Sequence, residues 1–141
     1  MKILIINGVN LQNIGKRETK IYGNVNFDNY LNELRQDFNC QIDYFQSNKE
    51  DEIVEKIYEA KQKEYIGIVL NAGAFSHSSV AIRDAIVAAE IKVILVHISN
   101  TSKREIFRQQ EIIANVCSGI ISGFGLKSYK LGILGLDVSF K

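Results

Sequence analysis

The sequence predicts an α/β fold, a doubly wound parallel sheet of five strands in the order 2-1-3-4-5, and three observations lead there. Short apolar runs rich in β-branched residues recur along the chain, each followed by a segment of helical period. The runs are continuous rather than alternating, as suits parallel strands covered on both faces. Polar residues gather just after them, at the ends where such sheets carry their loops.

In chain order, "ILIIN" (3–7) is the first strand. Phe27, Leu31, Leu34 and Phe38 then share one helix face, with Asn26 as its cap. "QIDYFQ" (41–46) alternates and is expected at an edge. Ile53, Ile57 and Ala60 mark a second helix, and Glu50, Asp51 and Glu52 place negative charge in its first turn. "IGIVLN" (66–71) is the third strand, followed by a helix on Ile82, Ala85, Ile86 and Ala89 that Ser76 or Ser78 could cap. "KVILVHIS" (92–99) and "SGIISG" (118–123) are the fourth and fifth strands, and a glycine-containing helix over about 125–136 closes the chain. Strands alternating with helices require right-handed crossovers, which in this length gives a flavodoxin-like sheet in a single domain over residues 1–141.

The composition narrows the class of function. Hydrophobic residues make up 46% and charged residues 23% of the chain, an ordinary globular balance. Lys and Arg number 17 against 16 Asp and Glu, so no strong field favours nucleic acid or an anionic membrane. Two distant cysteines, Cys40 and Cys117, fit a reducing cytoplasm better than a disulfide framework or zinc site. No apolar run approaches the ~20 residues of a membrane helix, and the N-terminus does not read as a signal peptide.

Ligands of doubly wound sheets bind beyond the carboxyl ends of the strands, near the switch in strand order. The ends of strands 1, 3 and 4 bring three loops there. The first, "NGVNLQNIGKRETKIYG" (7–23), far exceeds the usual ~2–6 residues of a βα connection and carries Asn10, Arg17 and Tyr22. A cation beside a phenol favours the phenolate, and a phenolate is a competent general base. The second, "LNAGAFSHSSVAIRDA" (70–85), carries Asn71, His77 and Asp84. A lone histidine there is more often structural, and Asp84 beside Arg83 more often forms a surface ion pair. The third, "VHISNTSKREIFR" (96–108), sets His97 at a strand end, with Ile98, Ser99 and several cations after it. Backbone amides with Ser99 suit a carboxylate, and Arg108 suits a hydroxyl or anion. Lys103 and Arg104 are expected on a solvated face. Neither the phosphate-loop pattern nor the G-x-S-x-G elbow is present. A base, an acid and oxyanion donors at one edge suit proton abstraction next to a carbonyl, followed by loss of a hydroxyl.

Taken together, the first loop with "FQSN", "LNAGAFSHSSVAIRDA", "VHISN", "REIFR" and "GIISGFG" resembles the type II 3-dehydroquinate dehydratases, in order from about residue 2 to 130. The resemblance implies a hydro-lyase of the shikimate route that converts 3-dehydroquinate to 3-dehydroshikimate and water through an enolate, with no metal, cofactor or lysine imine. It implies that Tyr22 removes the C2 proton, that Arg17 favours its phenolate, and that Asn10 holds a water at the enolate oxygen. His97 would protonate the departing C1 hydroxyl. Asn71, His77 and Arg108 would hold ring hydroxyls, and Ile98 and Ser99 the carboxylate. Asp84 would serve a neighbouring subunit of a homododecamer, four trimers.

Four positions depart from that pattern. Val9 and Thr19 stand where the family usually has proline, and Ser102 where it often has histidine. Leu95 replaces a glutamate two residues before His97, which predicts that His97 lacks charge support and that activity declines sooner toward high pH. A non-catalytic relative, a small-molecule binding or scaffolding oligomer, would tolerate that loss. A flavin-binding module of the same fold is a further alternative, to be told by its colour.

Overall fold

The structure is a computed structural model, and it describes residues 1–14 and 26–141. Strands β1 (Lys2–Asn7), β2 (Gln41–Gln46), β3 (Ile68–Asn71), β4 (Val93–His97) and β5 (Gly119–Ser122) form one sheet in the order β2-β1-β3-β4-β5. Every strand pair is parallel. The expected order is therefore observed, with the reversal between β1 and β3.

Helices cover both faces. On one, α1 (Phe27–Asp37) and the C-terminal α5 (Lys127–Leu134) pack Phe27, Leu31, Leu34, Tyr129 and Ile133 against Ile3, Ile5, Val69, Ile94 and Val96. On the other, α2 (Glu50–Gln62) and α3 (Val80–Ala89) pack Ile53, Ile57, Ile82 and Ile86 against Leu4, Ile6, Leu70, Val93 and Leu95. Alternate residues of each inner strand thus enter opposite cores, which is why the strands read as unbroken apolar runs.

The local signals act much as the sequence predicts. Asn26 caps α1, its side chain accepting from the Asp28 amide at 2.8 Å. Helix α2 begins after Lys49, which makes no side-chain cap, so its three acidic first-turn residues supply the compensation for the helix dipole. The cap of α3 differs from expectation: Ser79, not Ser76 or Ser78, accepts from the Ile82 amide at 3.0 Å. A 3-10 turn over Gly73–His77 occupies the residues between, which delays the helix. The last helix is shorter than expected and keeps a glycine for a packing reason. A Cβ at Gly132 would lie 2.9 Å from Val69 Cγ1 and 3.0 Å from Val96 Cγ1, so glycine lets α5 lie directly on the sheet.

Candidate active site

A cavity opens beyond the carboxyl ends of β1, β3 and β4, lined among others by Asn10, Asn71, His77, His97, Ile98, Ser99, Arg104 and Arg108. Seven of the ten residues singled out in the sequence, all of that list except Arg104, meet there. Arg17 and Tyr22 lie outside the described residues. Asp84 stands apart, exposed on α3, with Arg83 3.4 Å away as the expected surface ion pair.

The rim is built by close backbone approach. The Gly8 amide donates to the Asn71 carbonyl at 2.7 Å, and a Cβ at Gly8 would lie 2.4 Å from the Ala72 carbonyl oxygen. Only glycine admits that contact between the first two loops. Asn10 follows with a left-handed backbone (φ 66°), which asparagine tolerates better than most residues, and its amide donates to Asn48 Oδ1 at 2.9 Å. The side chain of Asn10 is thereby left at the cavity.

Asn71 is held from beneath. Its Nδ2 donates to the Tyr129 hydroxyl at 2.9 Å, and its Oδ1 accepts from the Gly73 amide at 3.2 Å. Tyr129 in turn donates to Asn7 Oδ1 at 2.7 Å, and Asn7 Nδ2 reaches the Tyr44 hydroxyl at 3.2 Å. Burial pushes the Tyr44 phenol above its ordinary range, so it stays neutral at working pH. One amide hydrogen of Asn71 remains for a ligand.

His77 is oriented by Gln110. Its Nδ1 lies 2.8 Å from the Gln110 carbonyl, which can only accept, so Nδ1 carries the proton and Nε2 is the acceptor for a ligand hydroxyl when the ring is neutral. The rings of His77 and His97 stack at 5.9 Å between centroids, 20° from parallel.

His97 departs from the sequence expectation. Leu95 is wholly buried and offers no charge, but Glu111, from the segment between α4 (Ile106–Gln109) and β5, places Oε1 2.8 Å from His97 Nε2. The imidazole therefore does have a carboxylate against it. Glu111 escaped sequence reasoning because it lies outside every quoted motif and 14 residues after His97; only the fold brings the two together.

The third loop is fixed through its carbonyls. The carbonyl of His97 accepts from Ser128 Oγ at 3.1 Å, that of Ile98 from the Gly125 amide at 3.0 Å, and that of Ser99 from Ser122 Oγ at 3.0 Å. Arg104 corrects a second expectation. It lines the cavity rather than a solvated face, its guanidinium 3.5 Å from Ser99 Oγ. Arg108 also lines the cavity, with Nη1 2.6 Å from Glu105 Oε2. The Arg104 guanidinium beside the Ser99 hydroxyl makes this corner suited to a carboxylate or phosphate, while Arg108 is paired with Glu105. Among the described residues no group of three His, Cys, Asp or Glu side chains is placed to hold a metal ion.

Fold and cavity together define a polar pocket at the strand ends of a doubly wound α/β protein. The family is more particular: the model of dehydroquinase class II matches residues 1–136, so the chain belongs to that family. Among similar proteins, the 3-dehydroquinate dehydratase of Pelodictyon phaeoclathratiforme is 46% identical over 96% of this chain and 91% of its own length. That of Campylobacter lari is 45% identical over 96% of this chain and 86% of its own length. The crystal structure of the type II dehydroquinase from Butyrivibrio crossotus superposes with a TM-score of 0.91 at 46% identity, covering 97% of each chain.

Proposed function

We infer that this chain is a type II 3-dehydroquinate dehydratase, a lyase converting 3-dehydroquinate to 3-dehydroshikimate and water on the route to aromatic amino acids. The observation that carries this reading is the single cavity on which Asn10, Asn71, His77, His97, Ile98, Ser99 and Arg108 converge. In this reading the Tyr22 phenolate, favoured by Arg17, takes the C2 proton, and the electron pair moves onto the C3 oxygen as an enolate. Asn10 and a water it holds stabilise that oxygen. The enolate then collapses, the C1–O bond breaks, and His97 gives its proton to the departing hydroxyl, so that water leaves. A proton gained by Tyr22 and one lost by His97 balance the step.

Ile98 and Ser99, with the Arg104 guanidinium beside them, supply the corner for the substrate carboxylate, while Asn71, His77 and Arg108 meet its hydroxyls. Asp84 is assigned to a neighbouring subunit of a dodecamer of four trimers; its exposure outside the cavity lining supports this, as do exposed apolar residues such as Val87, Phe107 and Phe124. A reducing cytoplasm fits the two free cysteines, whose thiols burial pushes up, that of Cys117 to about 12, with Glu111 adding to the effect there. The reading as a non-catalytic relative drew its force from Leu95, and Glu111 removes that force.

The test is direct. Wild-type protein given 3-dehydroquinate should produce the enone absorbance of 3-dehydroshikimate, and Tyr22→Phe should lower turnover by at least ~100-fold while substrate binding changes little. A colourless, inactive wild-type protein that binds the substrate without turnover would return the scaffold reading.

A further inference from the structure

Gln110, Glu111 and Ile112 form a strap tied to the turn that carries Ser76 and His77. Gln110 offers its carbonyl to His77 Nδ1 at 2.8 Å, and the Ile112 amide donates to the Ser76 carbonyl at 3.0 Å. Glu111 is thus presented from a backbone pinned on both sides to the turn that carries His77. Its side chain is 13% exposed and that of His97 7%, and Oε1 and Nε2 lie 2.8 Å apart. The pair meets as a close charge contact rather than an aligned hydrogen bond, and neither carboxylate oxygen of Glu111, nor His97 Nε2, has a hydrogen-bond partner among the described residues. A buried carboxylate with nothing else to satisfy it is costly unless its neighbour carries the opposite charge. On the strand side Leu95, facing the same core as Ile113, gives the ring no charge at all.

We propose that Glu111 is the positioning residue of His97, holding the imidazolium with Nε2 against the carboxylate and Nδ1 toward the substrate. The proposal rests on the dehydratase reading, in which His97 is the proton donor. With Nε2 turned into the protein, Nδ1 is the ring nitrogen left to face the ligand. When Nδ1 gives its proton to the leaving hydroxyl, the proton that stays on Nε2 is the one facing Glu111, so a single neutral tautomer results and the ring does not need to turn before it is recharged. The carboxylate also favours the charged donor. The other ionisable groups around this ring are His77, stacked on it, Arg104 and Arg108 on the cavity wall, and the Cys117 thiol behind Glu111. The two guanidiniums disfavour a protonated ring, and Glu111 is the one acidic group among these described neighbours.

The experiment compares wild type, Glu111→Gln and Glu111→Asp as full-length proteins. Glu111→Gln should lose about 10-fold or more of kcat, part of the ~10²–10⁴ a general acid supplies, with KM within about 3-fold, as for a group that does not bind substrate. The basic limb of its kcat profile should lie at lower pH than that of wild type. Glu111→Asp should keep the wild-type limb and recover part of the turnover. Unchanged kcat and an unchanged limb in folded Glu111→Gln would overturn the proposal. Should that variant fail to fold, the ¹⁵N shifts of His97 in wild type decide. At a pH where the ring is neutral they should report the Nε2–H tautomer, and an Nδ1–H tautomer or an even mixture would overturn it. An inactive wild-type chain would sink the dehydratase reading alone, and the same ¹⁵N measurement would still decide the pairing.

Discussion

The two faces of the sheet support the cavity in different ways. Beneath the face covered by α1 and α5, the buried polar groups are neutral and joined in a line from Tyr44 through Asn7 and Tyr129 to Asn71. Beneath the face covered by α2 and α3, the support is a carboxylate, Glu111, set against the His97 imidazole. Strand alternation sorts them: Asn7 and Asn71 follow Ile5 and Val69 into the first core, and His97 follows Leu95 into the second. A neutral chain of hydrogen bonds holds geometry without regard to pH, whereas a buried ion pair couples geometry to protonation. The side that only binds is built from amides and phenols. The side to which the proposed reaction assigns proton donation is built from an imidazole and a carboxylate.

Four substitutions, two of them combined, would break or sharpen this contrast. The largest effect is expected for His97→Phe, which removes the proposed acid and leaves Glu111 buried without a partner. Turnover should fall by ~10²–10⁴, and stability by about 3–5 kcal/mol as for a broken buried pair. Adding Glu111→Leu should restore much of the stability and none of the turnover, measured by urea titration and by the enone assay. A double variant as unstable as the single one would show that the charge is not what costs.

Tyr129→Phe should come next. It strands Asn7 Oδ1 and Asn71 Nδ2 in the neutral line, at about 1–3 kcal/mol for each unmade bond. Turnover should survive in part, with KM raised because Asn71 loses its anchor. The loss should be the same at pH 6 and pH 8, and a strongly pH-dependent loss would blur the distinction between the faces.

The smallest effect belongs to a charge on neither face. Hydrogen bonds from Lys56 and Lys63 hold the Glu59 carboxyl down to about 2, but Glu59 lies at the surface of α2. A depressed carboxylate stabilises the fold above its unfolded value near ~4.3 and loses that contribution as pH falls toward 2. For an exposed pair the whole is under ~1 kcal/mol. Glu59→Gln should therefore barely lower the melting temperature at pH 7 and should flatten its decline between pH 5 and 2.

Much of the site was legible because its chemistry sits in short, contiguous motifs at strand ends. "LNAGAFSH" and "VHISN" place Asn71, His77, His97 and Ser99 wherever a doubly wound sheet puts its loops. Arg104 was not legible: its neighbours are cations on what looks like one solvated face, and only the turn at Thr101–Lys103 swings it to Ser99. Nor was the cap of α3, since three serines stand within four residues and the 3-10 turn selects Ser79.

By itself the sequence determined the class of fold, the order of its strands and the edge that carries the site, because apolar period and loop placement are local properties that a chain displays residue by residue. It also showed that the strand leaves His97 without a carboxylate at Leu95. Tertiary structure alone decided what replaced it. An ion pair needs two side chains within a few ångströms, and no local pattern relates residue 97 to residue 111. Their meeting depends on where the strap of Gln110, Glu111 and Ile112 is tied to the turn beside it, and that is fixed by the His77 ring at the Gln110 carbonyl and by the Ile112 amide at the Ser76 carbonyl, both long-range contacts.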